Sequence, residues 1–104
     1  MDYKIVMTSD AEADLDAFIK YLLLEKKNEQ AASNLLNDFE ITKNTLSKVA
    51  GMLKLCDNPR LKVLGYRRIN FQSHNYFMLY RIDKETVIID KIFHELQDYE
   101  GKMV

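Results

Sequence analysis

The chain has 104 residues, enough for one domain with one modest core, and 47% of them are hydrophobic. Only three Gly and one Pro occur, a composition that argues against wholesale disorder. The formal net charge of −1 argues against a protein that coats nucleic acid through bulk positive charge.

The first elements in chain order are a strand and a helix. Residues 3–7, YKIVM, are short, apolar and rich in strand-forming residues, which predicts a first strand. Thr8 or Ser9 is suited to cap a helix whose first turn is acidic, where the helix dipole favours negative charge. The apolar face of this helix recurs at helical spacing and consists of Ala11, Leu15, Phe18, Ile19, Leu22 and Leu23.

A second helix is predicted from about residue 29 to about residue 54, after a short polar connection. No Gly or Pro occurs between residues 1 and 50, so nothing forces a break. The two helices are expected to form a hairpin packed through their apolar stripes. The second stripe, which Lys43 interrupts, consists of Ala32, Leu36, Phe39, Leu46, Ala50 and Leu53.

The second half of the chain predicts a loop and three strands. Pro59 lies in the loop and disfavours helical backbone at the residue before it. Residues 66–72 alternate between two faces, residues 76–82 are apolar on both faces as in an inner strand, and residues 87–93 form the last strand before a tail with one helical turn. The sequence therefore predicts one α+β domain over residues 1–104. Its order is β-α-α-β-β-β, with a helical hairpin packed on a mostly antiparallel four-stranded sheet.

Residues 60–82 contain five Lys or Arg residues and no Asp or Glu, although the rest of the chain is acidic. Such a local patch steers a polyanion even in a near-neutral protein. Three explanations stay open: nucleic-acid contact, docking of an acidic protein partner, or ordinary strands with solvated charges. Tyr66, Tyr76 and Tyr80 in this segment either stack on RNA bases or pack within the sheet.

Metal, cofactor and membrane signals are absent from the sequence. Cys56 is the only cysteine, so it cannot form an internal disulfide, and one thiol with two histidines is a poor zinc ligand set. No apolar run approaches the roughly 18 residues of a membrane helix, and the N-terminus does not read as a signal peptide. We therefore expect a soluble cytoplasmic protein without metal, cofactor or membrane contact.

Three motifs stand out together: GYRRINF at residues 65–71, NYFMLYRI at 75–82 and VIIDKIFHELQDY at 87–99. In this combination the sequence resembles the RelE/ParE superfamily of toxins of bacterial type II toxin–antitoxin systems, also called plasmid stabilisation proteins. The resemblance implies the element order predicted above and an antitoxin partner. It also implies one of two activities: RelE-like toxins cut messenger RNA on the ribosome, and ParE-like toxins inhibit DNA gyrase without being nucleases.

For a RelE-like, metal-independent endoribonuclease, the resemblance implies catalytic roles for Arg68, His94 and Tyr99. Arg68 would neutralise phosphate, His94 would act as general acid or base, and Tyr99 would stack on a base or donate a proton. The expected RNA- or antitoxin-binding residues around them are Tyr66, Arg67, Asn70, Arg81 and Lys91.

Two positions depart from the nuclease pattern. Asn70 stands where a second basic residue is common, and Phe77 stands where the nucleases usually carry a phosphate-binding arginine. Phe cannot neutralise a developing oxyanion, and His94 occurs in both branches of the superfamily. We expect a toxin that cleaves mRNA on the ribosome, and two alternatives therefore stay open: a gyrase inhibitor, and a decayed toxin that only binds its antitoxin.

Three other polar residues have simpler interpretations. Arg67 lies on the apolar side of its strand, where we expect it to pair with an acid such as Asp90 or to lie at an edge. His74 falls in a predicted turn and is expected to be merely exposed. Asp98 fits the tail pattern of the superfamily, which implies a structural bond to the sheet or to an arginine.

Overall fold

The computed structural model describes residues 2–103, and the predicted domain ends Met1 and Val104 lie outside the described residues. The element order is the predicted one, including the helical turn in the tail, and a short helix is added in the loop. The first half contains β1 (Lys4–Met7), α1 (Ser9–Lys20), a π-helical turn (Tyr21–Glu25), α2 (Glu29–Val49) and a 3₁₀ turn (Ala50–Met52). The second half contains α3 (Pro59–Val63), β2 (Arg67–Asn70), β3 (Tyr76–Asp83), β4 (Thr86–His94) and α4 (Tyr99–Lys102).

The four strands form one sheet in the order β1-β4-β3-β2. β1 pairs parallel with β4, and the other two pairings are antiparallel, as predicted for a mostly antiparallel sheet. A register shift interrupts the pairing of β3 with β4 between Leu79 and Tyr80. β3 and β4 are therefore the central strands, whereas β1 and β2 form the two edges.

The first core lies between the helical hairpin and one face of the sheet. Thr8 caps α1 by accepting a hydrogen bond from the amide of Ala11, and its hydroxyl donates to the carbonyl of Asp90 in β4. The hydroxyl of Tyr80, buried in this core, donates to the carbonyl of Ala50 at 2.8 Å, and burial raises the pKa of Tyr80 to about 12. The buried members of this core are Ala11, Leu35, Phe39, Leu46, Ala50, Phe71, Met78, Tyr80, Val87, Ile89 and Ile92.

The core-facing row of α2 differs from the predicted one. Leu36 was expected inside but is 45% exposed, and Leu35 is buried in its place. Thr42, which is buried, continues the row, so the neighbouring Lys43 does not interrupt it. Leu23, predicted on the inner face of the first helix, is likewise exposed in the π-helical turn.

A second core covers the opposite face of the sheet. Phe77, Leu79 and Phe93 pack there with Cys56 and Leu61, beneath α3 and the C-terminal tail. The loop that was expected to be irregular forms α3 because the Asn58 side chain accepts from two amides of its first turn and Pro59 occupies the first helical position. Both faces of β3 are thus covered, as its two-sided apolar pattern indicates. Within residues 2–103, no helix is long and apolar enough to span a bilayer.

A candidate binding cleft at the β2 edge

Arg68 lies at the centre of the candidate site, on the face of the sheet that carries the second core. It pairs with Leu79 across the β2–β3 ladder, and its guanidinium carbon lies 3.7 Å from the ring centroid of Phe77. Its Nε donates to Oδ1 of Asn70 at 2.8 Å, and Nη2 lies 4.0 Å from a carboxylate oxygen of Glu95. The aromatic ring below and the amide beside it orient the guanidinium, and the Arg68 side chain stays 34% exposed.

Tyr99 closes one side of this arrangement. Its ring packs edge-on against Phe77, with 5.1 Å between centroids, and lies 5.7 Å from the guanidinium carbon of Arg68. Burial raises the pKa of Tyr99, so its hydroxyl keeps its proton at neutral pH. Asp98 was expected to bond to the sheet or to an arginine, but it caps α4 by accepting from the amide of Gly101. The tail therefore forms a short capped helix, which places the ring of Tyr99 beside Arg68.

A cleft of about 400 Å³ opens between this group and the loop of residues 53–57. The loop is held against the outer edge of β2 by a bridge between Leu55 and Arg67 and by a hydrogen bond from Arg67 Nη1 to the carbonyl of Leu53. Cys56 lines the cleft but is buried, and burial raises the pKa of its thiol. A protonated thiol is a poor nucleophile, so Cys56 contributes packing to the cleft.

His94 lies on the other face of the sheet. It pairs with Tyr76, whose ring its own ring meets edge-on at 4.9 Å, within the packing of the first core. Its Nδ1 accepts from the amide of Leu96, and its own amide donates to the side chain of Gln97. The structure therefore brings Arg68 together with Tyr99 but separates both from His94.

The remaining predicted cations have partners of their own. Of the two expectations for Arg67, the edge position is confirmed, because β2 is an edge strand, and Arg67 binds a loop carbonyl there. The pairing with Asp90 is wrong, because Asp90 pairs with Arg81 at 2.7 Å. Tyr66 lies beside that pair, and burial together with Asp90 raises the pKa of Tyr66. Lys91 lies 3.4 Å from a carboxylate oxygen of Asp14. Within the acid-free segment, Arg81 is thus the cation that a nearby acid neutralises closely.

Asp38 is a buried acid with a structural role that the sequence patterns did not predict. Its carboxylate on α2 accepts from the amides of Gln72 and Ser73 and from Nδ1 of His74 at 2.6 Å. Burial alone would raise the pKa of Asp38, but the hydrogen bonds from His74 and the two amides outweigh it and lower that pKa. His74 was expected to be merely exposed, but it helps to tie the β2–β3 turn to the hairpin. One feature of the sequence could have indicated this burial: Asp38 is an acid that stands within the apolar row of α2.

The sequence and the fold both have counterparts among known proteins. Residues 5–99 match the sequence model of a family described as the ParE toxin of the type II toxin–antitoxin system parDE. A solved structure described as the chromosomal ParDE toxin–antitoxin system from P. aeruginosa has a chain that superposes with a TM-score of 0.70 at 21% identity, covering 88% of this chain and 95% of that one.

A second solved structure has a similar chain fold. It is described as the toxin–antitoxin complex RelBE2 from Mycobacterium tuberculosis, and the match has a TM-score of 0.58 at 23% identity, covering 90% of this chain and 99% of that one. At these identities the two likenesses concern the fold. No curated protein sequence matches the chain significantly.

Proposed function

Since the chain belongs to the ParE toxin family of type II toxin–antitoxin systems, we propose that it arrests bacterial growth by binding DNA gyrase without cleaving RNA. We propose also that a cognate antitoxin neutralises it. The observation that carries the non-enzymatic assignment is the separation of Arg68 and His94 by the sheet.

Metal-independent RNA cleavage needs a base, an acid and a cation around one phosphate, each within hydrogen-bond reach of the reacting atoms. Arg68 faces the second core and His94 the first, so the two side chains do not reach one phosphate together. Phe77, at the position where the nucleases carry an arginine, is only 1% exposed and supports Arg68 from below. These contacts favour a protein that binds its target over one that cuts it.

The cleft beside β2 is our candidate for antitoxin contact. Arg68 presents a planar, oriented guanidinium at its rim, and such a group binds a carboxylate through two parallel hydrogen bonds. The nearest acid, Glu95, lies at the limit of ion-pair distance, so an incoming carboxylate meets little competition. An antitoxin segment with an Asp or Glu side chain fits this position.

One observation favours a second candidate function, ribosome-dependent mRNA cleavage. Arg68 and Tyr99 lie side by side in an open cleft, where a phosphate would contact the guanidinium and the protonated phenol would serve as acid. A nuclease of this type would need its general base from the ribosome or the RNA, because His94 lies on the opposite face.

Two assays separate these candidates. For the gyrase inhibitor, purified toxin reduces supercoiling by DNA gyrase in proportion to the toxin-to-gyrase ratio, and mapping of transcript 5′ ends after induction reveals no new ends in translated messages. Cleaved messages with unaffected supercoiling would establish the nuclease instead. Unimpaired growth in cells that contain the folded protein would indicate a decayed toxin that retains only antitoxin binding.

A further inference from the structure

Two cations of the acid-free segment lie on α3 without an acidic partner. Arg60 and Lys62 are both exposed, and neither takes part in an ion pair of residues 2–103. On the strands, by contrast, Arg81 pairs with Asp90 and Arg67 binds a loop carbonyl. The positive charge of α3 is therefore available to a partner outside the chain.

The fold holds these two cations at the surface. Leu61, which lies between them in the sequence, is fully buried in the second core. Its carbonyl accepts from the amide of Tyr66, and the Asn58 side chain caps the first turn of α3. Because the residue between them is anchored in the core, Arg60 and Lys62 face solvent without any rearrangement of the chain.

A third cation lies on the same face of the sheet. The guanidinium of Arg68 rests on the ring of Phe77, and Phe77 belongs to the core that buries Leu61 of α3. The nearest acid in the preceding loop, Asp57, is already offset by Lys54 at 3.2 Å. This face of the protein thus gathers three cations from a segment that contains no acid.

The α3 cations differ from Arg68 in how they can bind an anion. Phe77 and Asn70 fix the orientation of Arg68, which fits a single carboxylate. No side-chain hydrogen bond fixes Arg60 or Lys62 within the described residues, so both can adjust to a row of charges. Duplex DNA offers such a row, with one negative charge per roughly 1.7 Å of helix axis, and phosphate contacts tolerate variable geometry.

We propose that, when the toxin is bound to DNA gyrase, the α3 surface formed by Arg60 and Lys62 contacts the backbone of the DNA that gyrase holds. This rests on the proposed function for the identity of the target. About two phosphate contacts are too few to hold DNA at physiological salt, which agrees with the net charge of −1. The contact therefore forms only where gyrase brings the duplex to this face.

Removing both charges tests the proposal without changing the second core. Arg60→Gln combined with Lys62→Gln keeps the side-chain stems, and Leu61 stays in place. Calorimetry at several KCl concentrations would measure binding to gyrase alone and to gyrase loaded with a linear duplex. Wild type should bind the loaded enzyme more tightly. The double variant should lose about tenfold in affinity for the loaded enzyme, and the slope of log affinity against log salt should fall by about two. Its affinity for gyrase alone should not change.

Two controls separate the α3 surface from overall charge. Lys4→Gln combined with Lys26→Gln removes the same charge from exposed positions on β1 and after the π-helical turn, and should keep the gain in affinity that DNA provides. Arg60→Lys combined with Lys62→Arg keeps both charges and should keep that gain as well. Unchanged midpoints in urea denaturation would establish that all three proteins are folded.

The other outcomes overturn the proposal. These are equal affinity of wild type for gyrase with and without DNA, an undiminished gain in the α3 double variant, and an equal loss in the Lys4 and Lys26 control. A loss that is the same without DNA would identify an acidic surface of gyrase as the partner instead. If the proposed function fails, wild type binds neither form of gyrase and the inference falls with it, whereas failure of this inference alone leaves inhibition of supercoiling intact.

Discussion

The guanidinium carbon of Arg68 lies 3.7 Å from the centroid of the Phe77 ring, so this cation of β2 rests directly on the second core. A cation in this position gains from the electron-rich face of the ring and loses little entropy when it binds an anion, because it is already oriented. The same contact gives Phe77 a structural role. The ring supports a neighbouring arginine.

Replacing Arg68 should affect binding more than folding. Arg68→Ala is expected to weaken the antitoxin complex about tenfold or more and to lower the free energy of unfolding by about 1 kcal/mol or less, because the guanidinium stack is partly exposed. Calorimetry and urea denaturation measure the two effects. Arg60→Ala, at an exposed position of α3, is the control and should change neither.

The companion change at Arg67 should behave differently. Arg67 binds the carbonyl of Leu53, so Arg67→Ala is expected to lower the free energy of unfolding more than it weakens partner binding.

For the Arg68 prediction, equal antitoxin binding by wild type and Arg68→Ala would mean that Arg68 is a solvated surface charge without a role in the complex.

Two substitutions at Tyr99 distinguish packing from chemistry. Tyr99→Ala removes the ring that packs on Phe77 and should cost about 2 kcal/mol of unfolding free energy, by denaturant titration. Tyr99→Phe keeps the ring and removes the hydroxyl, and should leave both stability and growth arrest close to wild type if the protein is a gyrase inhibitor. Loss of toxicity in a stable Tyr99→Phe protein would instead point to an acid in RNA cleavage.

Asp38 should account for a measurable share of the stability at neutral pH. Asp38→Asn replaces an acceptor of four hydrogen bonds by an amide that also has donors, and the expected cost is about 2–3 kcal/mol in urea denaturation at pH 7. Asp16→Asn, which removes an exposed i,i+4 ion pair with Lys20, is the control and should cost about 0.5 kcal/mol or less.

The contribution of Asp38 should also depend on pH. Because its pKa is lower in the folded protein than the ordinary value of 3.8, its stabilisation is present above that value and is lost as the pH falls below it. The difference in unfolding free energy between wild type and Asp38→Asn should therefore shrink as the pH falls from about 5 to about 2, which is roughly the range over which a carboxylate with a lowered pKa titrates. A difference that stays constant with pH would contradict the charged hydrogen-bond network.

Tyr80 gives the corresponding test at high pH. Tyr80→Phe removes the buried hydroxyl that donates to Ala50 and should cost about 1 kcal/mol at pH 7. Burial raises the pKa of Tyr80 from 10.0 to about 12, so its stabilisation relative to Phe is complete below pH 10 and declines as the pH rises towards 12. If the unfolding free energies of wild type and Tyr80→Phe changed in parallel between pH 10 and pH 12, the raised pKa of Tyr80 would be contradicted. Tyr21→Phe, at an exposed position, serves as the control.

Much of the fold follows from local patterns in the sequence. The helical spacing of residues 11–22, the two-sided apolar run of residues 76–82 and the alternation of residues 66–72 correspond to α1, β3 and β2. These patterns were sufficient because periodicity depends on each element alone: a helix or strand buries residues at its own repeat wherever it packs. The family resemblance rested on residues 65–71, 75–82 and 87–99, and it agrees with the family match.

The tertiary structure alone decided which neighbouring residues face which side and which charges meet. The choice of Leu35 over Leu36 depends on how far α2 is rotated about its axis, and that angle is set when the whole helix packs on the sheet. The separation of Arg68 from His94 depends on strand register and on the shift at Leu79 and Tyr80. The pairing of Arg81 with Asp90 likewise needs β3 and β4 in register, and residues nine positions apart carry no local signal of that contact.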